Sequence, residues 1–194
     1  MYSLDLSMIS EKFLDAHPGV KMIVFDFDRT LTKEHALIKV GDTTRSRFQR
    51  PVTRAEMYQF ASDPEFIRVF IDVARRRGVN VAIASFNDSR IYQVESRDLT
   101  GYALIKTFLD SFLDHDLFSR KNIIAYQPQN PYKVGKSPHI KVLSSRYHLL
   151  PEEIMLFDDN KYNVFRALDY AHHAYLVPIS TGFTRSFIQK LIAP

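Results

Sequence analysis

The chain has 194 residues, 45% of them hydrophobic and 13% aromatic, and a formal net charge of +4. That length and apolar content fit one folded domain with a real core and exclude a disordered chain. There is no cysteine, which excludes disulfides, thiolate-bound zinc and a thiol nucleophile, and no apolar run reaches the ~20 residues that span a bilayer.

Residues 1–19 set Asp5, Glu11 and Asp15 into an apolar pattern. They lack the basic start and unbroken apolar stretch of a secretory signal, so they read as an N-terminal amphipathic helix packed on the domain, and the expected location is cytoplasmic. His17-Pro18-Gly19 makes a turn, and Met22 to Phe25 is the first strand. A polar, Arg-rich stretch follows from Lys33 to Arg54. Residues 31–62 hold a flap and at most a minimal cap, with one short helix near Arg54 to Phe60. Asp63 caps the next helix and Pro64 suits its first turn. Phe66, Ile67, Phe70, Ile71, Val73 and Ala74 form its apolar face, and Gly78 stops it.

Val79 to Ala84 is the second buried strand. Ser89 to Asp116 has a helical pattern, divided at Gly101. Ile123 to Tyr126 is the third strand and Gln127 to Gly135 a loop. Ser137-Pro138 opens a helix running to about Leu149, before a fourth strand at Ile154 to Phe157. A helix over Tyr162 to Tyr170, a fifth strand at Ala174 to Val177 and a closing helix from Thr184 to Ile192 complete the chain. Strands alternating with helices predict a single α/β domain over 1–194, a three-layer α/β/α Rossmann-like fold around a mostly parallel five-stranded sheet. Right-handed crossovers put the C-terminal ends of the strands on one edge, where such sheets bind ligands.

The residues after the strands are the ones to inspect. Asp26 and Asp28 follow the first strand two apart; like charges so close call for a proton or a cation between them, and a hard divalent cation suits oxygen ligands. Ser85 ends the second strand, where a hydroxyl and nearby backbone N–H groups can hold phosphate oxygens; Asn87 lies two residues on. Lys136 precedes a helix start, where an anion is favoured. Asp158 and Asp159 follow the fourth strand. Each has an ordinary explanation taken singly: turns are rich in Asp, a Ser can cap a helix, a Lys can sit in solvent. Their joint placement at strand ends points to one site.

The segments Asp26-x-Asp28-x-Thr30, the strand ending in Ser85, Lys136, and Asp158-Asp159 resemble, in order, the four motifs of the haloacid dehalogenase (HAD) superfamily. The resemblance covers about residues 20–180 and looks closest to the small magnesium-dependent phosphatases, through Lys136-Ser137-Pro138-His139-Ile140 and Met155 to Asn160. Ser85-Phe86-Asn87 departs from that subgroup's usual Ser-Arg-Thr. Lys133 and Lys141 are rivals of Lys136 for the lysine role. The resemblance implies a Mg²⁺-dependent phosphatase with an aspartyl-phosphate intermediate. Asp26 is then the nucleophile and Asp28 the acid and base. Ser85, Asn87 and Lys136 hold phosphate, and Asp26, Asp28 (through its carbonyl) and Asp158 hold the metal. Thr30 and Asp159 are supporting residues, and His139 is structural.

The implied partner is a phosphorylated substrate, a phosphoprotein with phosphotyrosine favoured; the alternatives are a small sugar-phosphate or nucleotide phosphatase, or a non-catalytic phosphate-binding module. The basic clusters Arg45, Arg47, Arg50, Arg54 and Arg75 to Arg77 suit an anionic partner or a solvated face. No nucleic-acid motif accompanies them, and nothing supports an acidic membrane surface.

Overall fold

The computed structural model describes residues 2–40, 43–88, 90 and 97–193. At its centre is a five-stranded parallel sheet. Strand β1 (Met22–Phe25) lies in the middle. The hairpin strands β2 (Leu37–Val40) and β3 (Thr43–Ser46) form a separate antiparallel pair. The remaining strands are β4 (Asn80–Ser85), β5 (Ile123–Ala125), β6 (Ile154–Asp158) and β7 (His173–Leu176), and the spatial order of the main sheet is β5-β4-β1-β6-β7. Met22 to Phe25 pairs with Asn80 to Ile83 on one side and Ile154 to Phe157 on the other, so the three strands end within two residues of one another.

Alternation along the strands sorts side chains to opposite faces. Ile23, Phe25, Ile83, Met155 and Phe157 join one buried cluster. Helices α1 (Tyr2–Asp15), α3 (Pro64–Arg76), α4 (Gly101–Leu109) and α8 (Arg185–Leu191) cover it with Ile9, Phe13, Phe70, Ile105 and Ile188. Met22, Val24, Ala82, Ile154 and Leu156 face the other way, onto Ile140 and Leu143 of α6 (Ser137–Tyr147) and Ala167 of α7 (Lys161–Ala167). These two helical layers make the three-layer architecture expected. The first cluster is unusually aromatic: Phe25, Phe70, Phe157 and Phe183 have ring centroids 4.8 to 6.4 Å apart, mostly edge to face, which adds to the burial of each ring. Asp63 caps α3 by accepting from Phe66 N at 3.2 Å, and Pro64 opens it.

The structure differs from the sequence reading in three places. The Arg-rich stretch contains the β2–β3 pair, whose described residues are mostly half-buried or exposed and carry no buried alternation for a sequence pattern to detect; α2 (Arg54–Phe60) follows, opened by a capping box between Thr53 and Glu56. The helix expected from Ser89 is observed only as α4; Ser89 and residues 91–96 lie outside the described residues. Residues 97–99 are not helical because their backbone pairs elsewhere: Arg50 N donates to Arg97 O (2.8 Å) and Leu99 N to Phe48 O (2.9 Å). Finally, the loop before Lys136 contains one helical turn, α5 (Pro131–Val134).

Candidate active site

The site stands where β1, β4 and β6 end. Asp26 follows β1, and its N–H donates to Phe157 O (2.8 Å), tying it to the neighbouring strand. After it the chain turns sharply through residues 27–31, with Arg29 at a positive φ of 60°. The Thr32 hydroxyl steadies this turn: it accepts from Arg29 N (2.9 Å) and lies 2.7 Å from Glu34 O. The turn's carbonyls are tied to the far end of the chain. Phe183 N donates to Thr30 O (2.7 Å), and Ser62 Oγ lies 3.1 to 3.2 Å from Thr30 O, Leu31 O and Phe183 O.

Lys136 crosses the site from the start of α6. It is 1% exposed; its Nζ donates to Asp26 Oδ1 (2.6 Å) and Ala84 O (2.7 Å), and stands 4.0 Å from Asp158 Oδ2. The ammonium also lies over the Phe86 ring, 4.1 Å from its centroid. One Asp26 oxygen is therefore held by the lysine, which leaves the other for chemistry. Among the three lysines weighed from the sequence, Lys136 is the one the fold carries to Asp26.

Asp158 ends β6, fully buried. It accepts from Asn160 N (2.9 Å), and Asn163 Nδ2 lies 3.0 Å from both its oxygens. Burial and the Asp26 charge push its carboxyl well above the usual range. Asp159 is pushed up to about 6 by burial and then by Asp26. Asp28 accepts from Ala36 N at 2.6 Å. Burial raises its carboxyl to about 7, the Asp26 charge adding to the rise and the Ala36 hydrogen bond opposing it.

Ser85 is buried at the end of β4, its hydroxyl accepting from Asn87 N (3.1 Å). Asn87 is buried too: its Oδ1 accepts from Gly101 N (2.6 Å), while among the described residues its Nδ2 has no hydrogen-bond partner, nor has the buried Thr30 hydroxyl. His139 supports the loop from below. Its Nε2 lies 2.9 Å from Tyr126 O and 3.3 Å from Ser85 O, and its ring stacks on Tyr126 at 4.3 Å.

Carboxylate oxygens of Asp26, Asp158 and Asp159 lie within 4.8 Å of one another. The donors are all hard oxygens, and burial, then the Asp26 charge, raises the Asp158 and Asp159 carboxyls. A small hard divalent ion such as Mg²⁺ fits both facts. The Asp28 carboxylate is not part of this set. Sequence reasoning overlooked Asn163 and Ala36. Asn163 had a signal: it lies one helical turn from Ala167 on the buried face of α7, where a polar residue needs a partner. The Ala36 contact is made by a backbone N–H, which side-chain chemistry cannot reveal.

The central parallel sheet between two helical layers, with an acidic pair after its first strand and a second after β6, is the arrangement expected from the haloacid-dehalogenase resemblance of the sequence. No family model matches the chain, and no curated protein matches its sequence. Solved structures do. The N-terminal part of a Bacteroides fragilis protein, containing a phosphatase domain complexed with Mg, superposes with a TM-score of 0.50 at 13% identity over 89% of this chain; the chain spans 40% of that structure. A hypothetical protein from Xanthomonas campestris gives 0.47 at 14% identity, covering 87% of this chain and 69% of that one. The 3-deoxy-D-manno-octulosonate 8-phosphate phosphatase of Moraxella catarrhalis, solved with magnesium, phosphate and the sugar acid, gives 0.46 at 14% identity, covering 94% and 90%. At such identities the likeness is one of fold.

Proposed function

We propose that the chain is a Mg²⁺-dependent phosphomonoester hydrolase that forms an aspartyl phosphate on Asp26, acting on a small phosphorylated metabolite. The observation that supports it best is the contact of Lys136 with Asp26 at 2.6 Å beside the Asp158–Asp159 pair. A carboxylate able to attack phosphorus, a fixed cation and a set of oxygens able to hold a metal then lie together.

Asp26 attacks phosphorus with the oxygen not held by Lys136. The P–O bond to the leaving group breaks, and its electron pair leaves with that oxygen, which takes a proton from Asp28. Asp28, now a carboxylate, then accepts a proton from the water that attacks the acyl phosphate, releasing inorganic phosphate and free Asp26. Lys136 and Ser85 hold the non-bridging oxygens; the Nδ2 of Asn87 is a further donor facing the same loop. Asp26, Asp158 and Asp159 would hold the metal, with the Asp28 carbonyl as the further ligand the family resemblance implies. When bound, Mg²⁺ supplies charge neutralisation between the carboxylate and the incoming dianion. Asn163 fixes the Asp158 carboxylate in place.

A positioned proton donor favours the metabolite over the phosphotyrosyl protein expected from the sequence. An alcohol leaving group needs protonation as its bond to phosphorus breaks, whereas a phenol leaves with less help. The deciding measurement is kcat/KM with Mg²⁺ across sugar phosphates, nucleotides and phosphotyrosyl peptides. A clear preference for one metabolite class is the expected result; preference for the peptides would return the substrate to a phosphoprotein. Failure to hydrolyse even p-nitrophenyl phosphate would leave a phosphate-binding module instead.

A further inference from the structure

Arg47 belongs to the basic stretch read from the sequence as a solvated face or an approach for anions. Its side chain in fact points back along its own chain. Arg47 Nε donates to His35 O (2.8 Å), its Nη2 pairs with Glu34 Oε2 (2.8 Å), and its backbone N–H donates to Ala36 O (2.8 Å). Three contacts from one residue hold three consecutive residues. The same short segment is pinned from its other side by Thr32 Oγ1 on Glu34 O (2.7 Å). From this segment the Ala36 N–H donates to Asp28 Oδ1 at 2.6 Å.

From this chain of contacts we infer that Arg47 is a positioning residue for the general acid, acting through the 34–36 segment and the Ala36 amide. The inference rests on the proposed role of Asp28. A carboxylic acid donates well only when its O–H is aimed at the leaving oxygen. An N–H fixed on Oδ1 makes that atom the acceptor and leaves Oδ2 to carry the proton. The orientation of the peptide bond between His35 and Ala36 therefore sets the direction of proton delivery. Arg47 holds that peptide from the carbonyl side, bonded to the very His35 O whose amide partner is the Ala36 N–H. The guanidinium has the geometry for the task, since its forked N–H groups reach a carbonyl and a carboxylate at once; a lysine offers a single point charge.

Steady-state kinetics at saturating Mg²⁺ over a series of phosphate esters, from p-nitrophenyl phosphate to alkyl phosphates, tests this. Loss of acid positioning shows where the leaving group is poor and is hidden where it is good. Arg47→Ala should lower kcat on alkyl phosphates by about tenfold, a part of the ~10²–10⁴ that a placed general acid supplies. It should leave p-nitrophenyl phosphate within about twofold, with KM little changed on either. Arg47→Lys should fall between Arg47→Ala and wild type. Arg50→Ala removes the same charge from the same stretch and should show no dependence on leaving group. A uniform fall across all esters, or a fall tracking a lowered thermal midpoint, would reduce Arg47 to a structural residue and overturn the inference, as would an unchanged Arg47→Ala enzyme. A wild-type protein inert on every ester would instead overturn the phosphatase reading on which the inference stands.

Discussion

His139 makes the stability of this protein depend on pH in a way that can be worked out in advance. Both atoms near its Nε2 are carbonyl oxygens, of Tyr126 and Ser85, so Nε2 must carry the hydrogen. Nδ1 is then a bare lone pair, buried with no partner among the described residues, and a proton added there finds no acceptor among them. Burial, and then the nearby Lys136 charge, push the imidazole down to about 3. An unfolded histidine takes its proton near 6.5. Between those values the unfolded chain binds more protons than the folded one, so stability rises with pH through the window and is lost as pH falls from 6.5 toward 3. Moving from pH 7 to pH 5 should cost about 2 kcal/mol from this group, which is roughly 4–8 °C in thermal midpoint for a chain of this size.

The assay is thermal unfolding in EDTA at pH 7, 6 and 5 for wild type and His139→Gln. Glutamine can still donate to the two carbonyls but does not titrate. Asp28, Asp158 and Asp159 contribute with the opposite sign. Their raised carboxyls make the folded state hold more protons, so their stabilisation is lost as pH rises, for Asp159 and Asp28 through about 6 and 7. That background is common to both proteins and cancels in the difference. The gap between the two curves should change by about 2 kcal/mol in favour of the variant on going to pH 5. Parallel curves would mean that His139 is not held neutral, and the tautomer argument would fail with it.

Asp26→Asn should abolish turnover while leaving the thermal midpoint within a few degrees, and beryllofluoride with Mg²⁺ should stabilise wild type but not the variant; activity retained in the variant would remove Asp26 as nucleophile. Gly182→Ala should be costly because Gly182 has φ 71° and an added Cβ would lie 2.6 Å from Ser62 Cβ and 2.9 Å from Thr30 O. Left-handed strain and overpacking together predict about 2–4 kcal/mol, read as a lower denaturant midpoint, and displacement of the turn should lower kcat as well. Mg²⁺ binding should release protons near pH 6 and weaken as pH falls, since Asp159 near 6 and the raised Asp158 must ionise to become ligands. Calorimetry in two buffers of different ionisation enthalpy measures this; identical apparent enthalpies at pH 6 would contradict the assigned ligand set.

The sequence alone determines the five strands of the main sheet, to within a residue at their ends, because short buried apolar runs such as Met22 to Phe25 and Ile154 to Phe157 carry a local signal that needs no tertiary information. It also marks the polar residues that follow them and the capped start of α3 at Asp63-Pro64. What it leaves open is every relation set by the chain meeting itself. Lys133, Lys136 and Lys141 are equal as letters, and only the packing of α6 brings one of them to Asp26, 110 positions away. The Asp28 carboxyl depends on a backbone N–H at Ala36, which every residue but proline possesses. Residues 97–99 lose a helical pattern to pairing with residues 48–50, since hydrogen bonds from a distant segment outweigh a weak local preference. The charges on the carboxylates belong to the same class: desolvation and repulsion arise only after folding has removed the water between them.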